Sequence, residues 1–190
     1  MSLRLPASDY RDGITNRYAN WFDLDTDEEK NICLSFQVQN RIEKYAPDGR
    51  LLWRADRPLN FGTDVIEKGF VTRGGAQGPK MNVVSSGIAA DAKGRIWVIS
   101  LRRQLTKEET GSRSSITTDA GEVSRKITEP KVVKGDVYKL EIFSPDGVFL
   151  GEIPLAHHAH GIRIFGDNLF IREDYNTIFY QYKIIENESY

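Results

Sequence analysis

The feature that most constrains this chain is an internal repeat. Ile42-Glu43-Lys44-Tyr45-Ala46-Pro47-Asp48-Gly49-Arg50-Leu51-Leu52 aligns without a gap on Leu140-Glu141-Ile142-Phe143-Ser144-Pro145-Asp146-Gly147-Val148-Phe149-Leu150, at a constant offset of 98 residues. Each copy reads as an alternating strand, a Pro-Asp-Gly turn and a second strand, because proline and glycine preset the dihedral angles of a tight reversal. The repeat therefore predicts two β-hairpins of the same build.

A second repeated unit precedes each hairpin. It is clearest in Ser86-Gly87-Ile88-Ala89-Ala90-Asp91-Ala92-Lys93-Gly94-Arg95-Ile96-Trp97-Val98-Ile99, which reads strand, turn, strand. Residues 160–171 follow the same plan, and a looser copy runs over residues 20–36. Inner strands are expected near 18–24, 85–91 and 160–165, second strands near 31–37, 95–101 and 168–173, and third strands near 41–46, 137–143 and 177–185. No helix competes with this pattern. Four antiparallel strands repeated along a chain are the blade of a β-propeller.

Asn40-Arg41-Ile42-Glu43-Lys44-Tyr45-Ala46-Pro47-Asp48-Gly49 and the Gly-Ile-Ala-Ala-Asp start of the middle unit resemble the blades of NHL-type six-bladed propellers. The resemblance covers most of residues 17–185 and implies an all-β fold of about three four-stranded antiparallel blades, half of a six-bladed ring. It divides the chain into an orphan outer strand and lead-in (1–15), a first blade (16–56), a loop (57–84), a second blade (85–155) and an incomplete third blade (156–190). Within the second blade, residues 102–135 form an insertion. The family hosts binding proteins and enzymes alike, so it implies architecture more than activity.

Three blades do not close a ring. Leu3-Arg4-Leu5-Pro6 resembles Gly151-Glu152-Ile153-Pro154-Leu155, the outermost strand of the second blade, yet no blade precedes it. After residues 178–185 no Pro-Asp-Gly turn or fourth strand follows. Two arrangements fit: the chain is the C-terminal half of a longer propeller, or two chains form a homodimer by strand exchange.

Residues 57–84 hold five glycines and two prolines and read as a surface loop without a regular element. Residues 102–135, of mixed charge and rich in Ser, Thr and Gly, read as mobile, or locally helical at most.

All three histidines fall in Ala156-His157-His158-Ala159-His160-Gly161. The residue before the inner-strand glycine belongs at the channel mouth, so His160 and its expected equivalents Ser86 and Asn20 are candidate ligand-binding residues. Imidazoles at His157, His158 and His160 suit a divalent metal. Streptogramin lyases and peptidyl-amidoglycolate lyases, propellers of similar type, place channel histidines on a metal, which the His-Gly pair resembles. Arg102 and Arg103, at the end of a strand, have the donor geometry to hold a carboxylate or phosphate. Asp23, Asp25, Asp27, Glu28 and Glu29 lack the spacing of a calcium loop and read as a charged turn.

Charge narrows the field further. With 26 Lys and Arg against 27 Asp and Glu, the net charge of -1 gives no field to hold nucleic acid. No apolar run approaches the roughly 20 residues of a membrane span, and the first residues lack the apolar stretch of a signal peptide. The single cysteine, Cys33, permits no internal disulfide. The chain reads as soluble, of unknown compartment, from a parent of a type often exported. The expectation is a non-enzymatic scaffold binding a small ligand or a protein, with no cofactor. The alternative is a metal-assisted lyase or hydrolase using the histidines.

Overall fold

The computed structural model describes residues 13–71, 77–110, 112–117, 123–128 and 135–185. Among them the protein is nearly all-β, with one short helix, α1 (Gly13–Ala19), and antiparallel sheets. The first sheet runs in chain order through β1 (Phe22–Thr26), β2 (Ile32–Phe36), β3 (Ile42–Tyr45) and β4 (Leu51–Ala55). A two-stranded hairpin follows, β5 (Glu67–Val71) with β6 (Gln77–Lys80). The second four-stranded sheet comprises β7 (Ser85–Ala90), β8 (Ile96–Leu101), β11 (Tyr138–Phe143) and β12 (Phe149–Leu155). Between β8 and β11 the chain forms a separate hairpin of β9 (Ser112–Thr117) and β10 (Val123–Thr128). The last sheet has three strands, β13 (Gly161–Phe165), β14 (Asn168–Glu173) and β15 (Ile178–Lys183). These are three successive meanders, the arrangement of a partial propeller.

Local chemistry explains the hairpins. In both copies of the repeat the glycine takes a positive φ, 90° at Gly49 and 84° at Gly147, and its N–H closes the turn onto Ala46 or Ser144. Both ladders also carry the same irregularity, before Tyr45 and before Phe143. The repeat is thus one structure built twice.

The blades pack through two apolar clusters. Cys33 and Ile42 of blade 1 meet Ile88, Ile96, Val98 and Phe143 of blade 2. Ala89, Trp97, Ile99 and Leu140 of blade 2 meet Ile162, Leu169 and Ile171 of blade 3. Strand alternation thus gives blade 2 two buried faces, one for each neighbour. A Cβ on Gly87 would stand 3.2 Å from the Cα of Gly161, so glycine there lets the inner strands of blades 2 and 3 touch backbone to backbone. Trp53 of blade 1 lies over Gly147 and donates its indole N–H to Pro145 O at 2.8 Å, docking one blade on the next blade's turn.

Polar groups also cross the first interface. Arg57 Nη1 lies 2.9 Å from Glu141 Oε2, with both side chains 2% exposed, and Lys139 bridges Glu141 to Glu152. Ser35 donates to Ser85, which donates to Phe36 O.

Four expectations need correction. Residues 13–19 are helical: Thr15 and Ala19, four apart, are buried on one side, and the Asn20 side chain donates to Asn16 O at the helix end. The first inner strand therefore starts at Phe22. The 57–84 loop contains β5 and β6, a short ladder that accommodates Gly69, Gly78 and Pro79 within its strands through a register shift between Glu67 and Phe70. Within the 102–135 insertion, residues 112–117 and 123–128 pair as the β9 and β10 hairpin, strands where a mobile or locally helical segment was expected. The proposed orphan strand at residues 3–6 lies outside the described residues. Among the described residues no helix is long and apolar enough to cross a membrane.

Candidate functional site

The inner strands of the three blades, β1, β7 and β13, surround a cavity of about 790 Å3. Blade 1 contributes Phe22, Asp23 and Leu24, and blade 2 contributes Gly87 and Ile88. The remaining wall is one face of blade 3: Gly161, Arg163 and Phe165 of β13, Phe170 and Arg172 of β14, and Phe179 of β15. Period-two alternation puts these residues on the side away from blade 2. The ladder sets Arg163 opposite Phe170, and Arg172 between Gly161 and Phe179.

The charges on the two walls are opposite. Asp23 accepts a hydrogen bond from Gln37 Nε2 at 3.2 Å. Burial raises its pKa above the ordinary carboxylate value, and the Gln37 bond and the positive charges of Arg163 and Arg172 oppose that rise. Arg172 lies across Gly161, its Cζ 3.5 Å from the point a Cβ would occupy, and pairs with Asp174 at 2.6 Å. Arg163 donates to Ile162 O at 3.0 Å and forms no ion pair among the described residues.

His160 completes the rim. Its Nδ1 accepts from the backbone N–H of Asp174 at 3.1 Å, which places the proton of the neutral ring on Nε2. Burial lowers its pKa, against the opposing charges of Asp174 and Glu173. Tyr175 packs edge-on against both His160 and His158.

The other residues singled out by sequence have structural partners. His157 turns away: its ring stacks on Tyr180 at 3.7 Å, Nε2 bonds Tyr182 Oη at 2.7 Å and Nδ1 bonds His158 O at 2.8 Å. His158 is buried, with its ring parallel to that of His160 and 6.0 Å away. Among the described residues no group of three His, Cys, Asp or Glu is arranged to hold a metal ion. Ser86 Oγ donates to Ala159 O at 2.7 Å, joining blade 2 to the approach to blade 3. Arg102 pairs with Glu152.

Arg103 makes two bidentate contacts, to Glu109 at 2.7 and 2.8 Å and to Asp136 at 3.0 Å through both oxygens. It holds the two ends of the insertion together. The pairing pushes Glu109 down to about 2 and lowers Asp136 as well.

Asn20 is not the equivalent of His160. The turns fix the register: Asp27 N–H donates to Asn31 O as Asp91 N–H does to Arg95 O, and Lys30 and Gly94 both take positive φ. Counting back from these turns, Phe22 matches Ser86 and His160, and Asp23 matches Gly87 and Gly161. Asp23 thus occupies the inner-strand position that is glycine in the other blades. Matching the two Asp turns, in preference to the Gly-Ile starts, is the sequence signal that finds it.

No protein-family model matches the chain, and no curated protein matches it. Among solved structures, a protein of unknown function from Bacteroides caccae matches 86% of this chain and 62% of its own length, at 9% identity and a TM-score of 0.25. The chain thus spans less than two thirds of that protein. A streptogramin B lyase matches over 87% of this chain and 69% of its own, at 15% identity and a TM-score of 0.24. A virginiamycin B lyase from Staphylococcus aureus matches over 90% and 72%, at 14% identity and a TM-score of 0.22. Superpositions this loose assign no role to any residue described above.

Proposed function

We propose that the chain is a non-enzymatic binding module, a three-blade portion of a six-bladed, NHL-like propeller. Its binding surface is the cavity between the inner strands, and its ligand is a small molecule or a protein segment. The observation that supports this reading is the cavity itself: about 790 Å3, walled by Phe22, Leu24, Phe165, Phe170 and Phe179, with Asp23 and Arg163 on facing walls. A mostly apolar concavity with a few convergent polar groups is the usual form of a ligand site. Amide chemical-shift mapping against a panel of small molecules and short peptides tests it. Shifts confined to β1, β7 and β13 are expected; saturating ligands whose shifts all fall elsewhere overturn the reading.

A metal-assisted lyase or hydrolase at residues 157–160 has less support, since His157 engages both ring nitrogens within the protein. Stoichiometric uptake of Zn2+ or Mn2+, abolished in His160→Ala, would reverse that order. Self-association belongs to the same proposal. Among the described residues β15 has no strand on its outer side, whereas β3 and β11 each have one, so a strand from a second copy fits there.

A further inference from the structure

The face of blade 3 that walls the cavity differs in composition from the equivalent face of blade 2, which packs against blade 3. The register matches Ile162 to Ile88 and Ile171 to Val98, so Arg163 stands where blade 2 has Ala89, Phe170 where it has Trp97, and Arg172 where it has Ile99. On the third strand Phe179 stands where blade 2 has Leu140. In blade 2, Ala89 and Ile99 are fully buried against blade 3. Two guanidinium groups at those positions would be stripped of water by a neighbour packed in the same apolar way, at a heavy cost. The face instead alternates cation and aromatic ring: Arg163 beside Phe170, Arg172 beside Phe179.

Building on the reading of the cavity as a binding surface, we propose that this face of blade 3 binds a small organic anion with an apolar, preferably aromatic, body. Arg163 and Arg172 take the anionic group, and Phe165, Phe170 and Phe179 take the body. Arg172 is held in place by Asp174 and by the bare backbone of Gly161, so little side-chain entropy is lost when it meets the anion. Arg163, with no carboxylate partner among the described residues, supplies the open donors. Phe165 and Phe179, 66% and 65% exposed, line the same space. Asp23 on the far wall repels a second anionic end and so sets the direction in which the ligand lies.

The test uses two fluorescent probes of the same shape, the anion 8-anilinonaphthalene-1-sulfonate and neutral N-phenyl-1-naphthylamine, titrated into the full chain. Saturable one-to-one binding is expected, with the sulfonate the tighter of the two. Arg163→Gln and Arg172→Gln should each weaken the sulfonate about tenfold, the scale of one charge-assisted hydrogen bond, and leave the neutral probe unchanged. Arg50→Gln, in an exposed turn of blade 1, should change neither. Equal affinity for both probes, or sulfonate binding indifferent to both arginine variants, overturns the anion proposal and leaves the cavity as a binding surface. Absence of saturable one-to-one binding by either probe overturns both readings. Circular dichroism checks that the variants fold, and either arginine variant alone decides the matter if the other does not.

Discussion

Arg103 illustrates how much of this molecule depends on single charged side chains. It faces two carboxylates, and the one from Glu109 also accepts the Thr106 N–H at 3.0 Å. The folded state therefore holds the Glu109 pKa at about 2, against 4.5 for an ordinary glutamate side chain. A depressed folded value stabilises above the unfolded pKa, and that contribution is lost as pH falls from about 4.5 through about 2. Glu109→Gln is expected to cost about 1–2 kcal/mol at neutral pH, discounted for the partial exposure of the pair. The difference from wild type should vanish toward pH 2 in urea melts, and limited proteolysis should show the insertion cut faster at pH 7. At this scale the sequence was only partly legible. An arginine pair at a strand end announces anion binding, but not that the anions are Glu109 and Asp136 of the same chain. Asp23 looked like one member of an acidic turn because its position in the blade becomes clear only from the register of β1.

Among the elements, the hairpins were the most legible because their turns are specified by adjacent residues. Pro-Asp-Gly needs no information from elsewhere in the fold. The helix at residues 13–19 was not, since seven residues carry too little periodicity to read, and β9 (SRSSIT) and β10 (VSRKIT) are short and mostly polar in sequence. Segments with so few apolar residues give little period-two signal to read. The turn glycines separate two effects. Gly166, at φ 60° with nothing within 4 Å of a built Cβ, should lose about 1 kcal/mol on replacement by alanine, from backbone strain alone. At Gly147, φ 84°, the same Cβ would fall 2.7 Å from Trp53 Cδ2. Gly147→Ala should therefore cost about 2–4 kcal/mol in chemical denaturation, because Trp53 must also leave its seat on the neighbouring blade. Equal losses at the two positions would show that the Trp53 dock contributes nothing.

The whole molecule is assembled through interfaces that use different chemistry at the same place. At the first interface Arg57 meets Glu141; the positions that match them at the second are Leu155 and Tyr180, which belong to one apolar cluster. Glu141→Gln alone should cost about 3–5 kcal/mol by leaving the buried Arg57 without a carboxylate, and Arg57→Leu less, because Lys139 still pairs with Glu141. The double variant Arg57→Leu with Glu141→Tyr should come within about 1 kcal/mol of wild type, a coupling that a double-mutant cycle in urea measures directly. Lys139 keeps Glu152 in that variant. For the open edge of β15, the expected result from light scattering across a concentration series is a mass approaching twice 21.6 kDa. A constant monomer mass sinks strand exchange. The neck of the insertion has a consequence of its own. Arg102 N–H donates to Val137 O at 2.8 Å and Arg103 locks Glu109 and Asp136 beside it, so the segment between them leaves and re-enters blade 2 at one fixed point. Such a site behaves as a cassette slot: sequences of other lengths can be exchanged there, each doubling of length adding only about 0.6 kcal/mol of closure entropy.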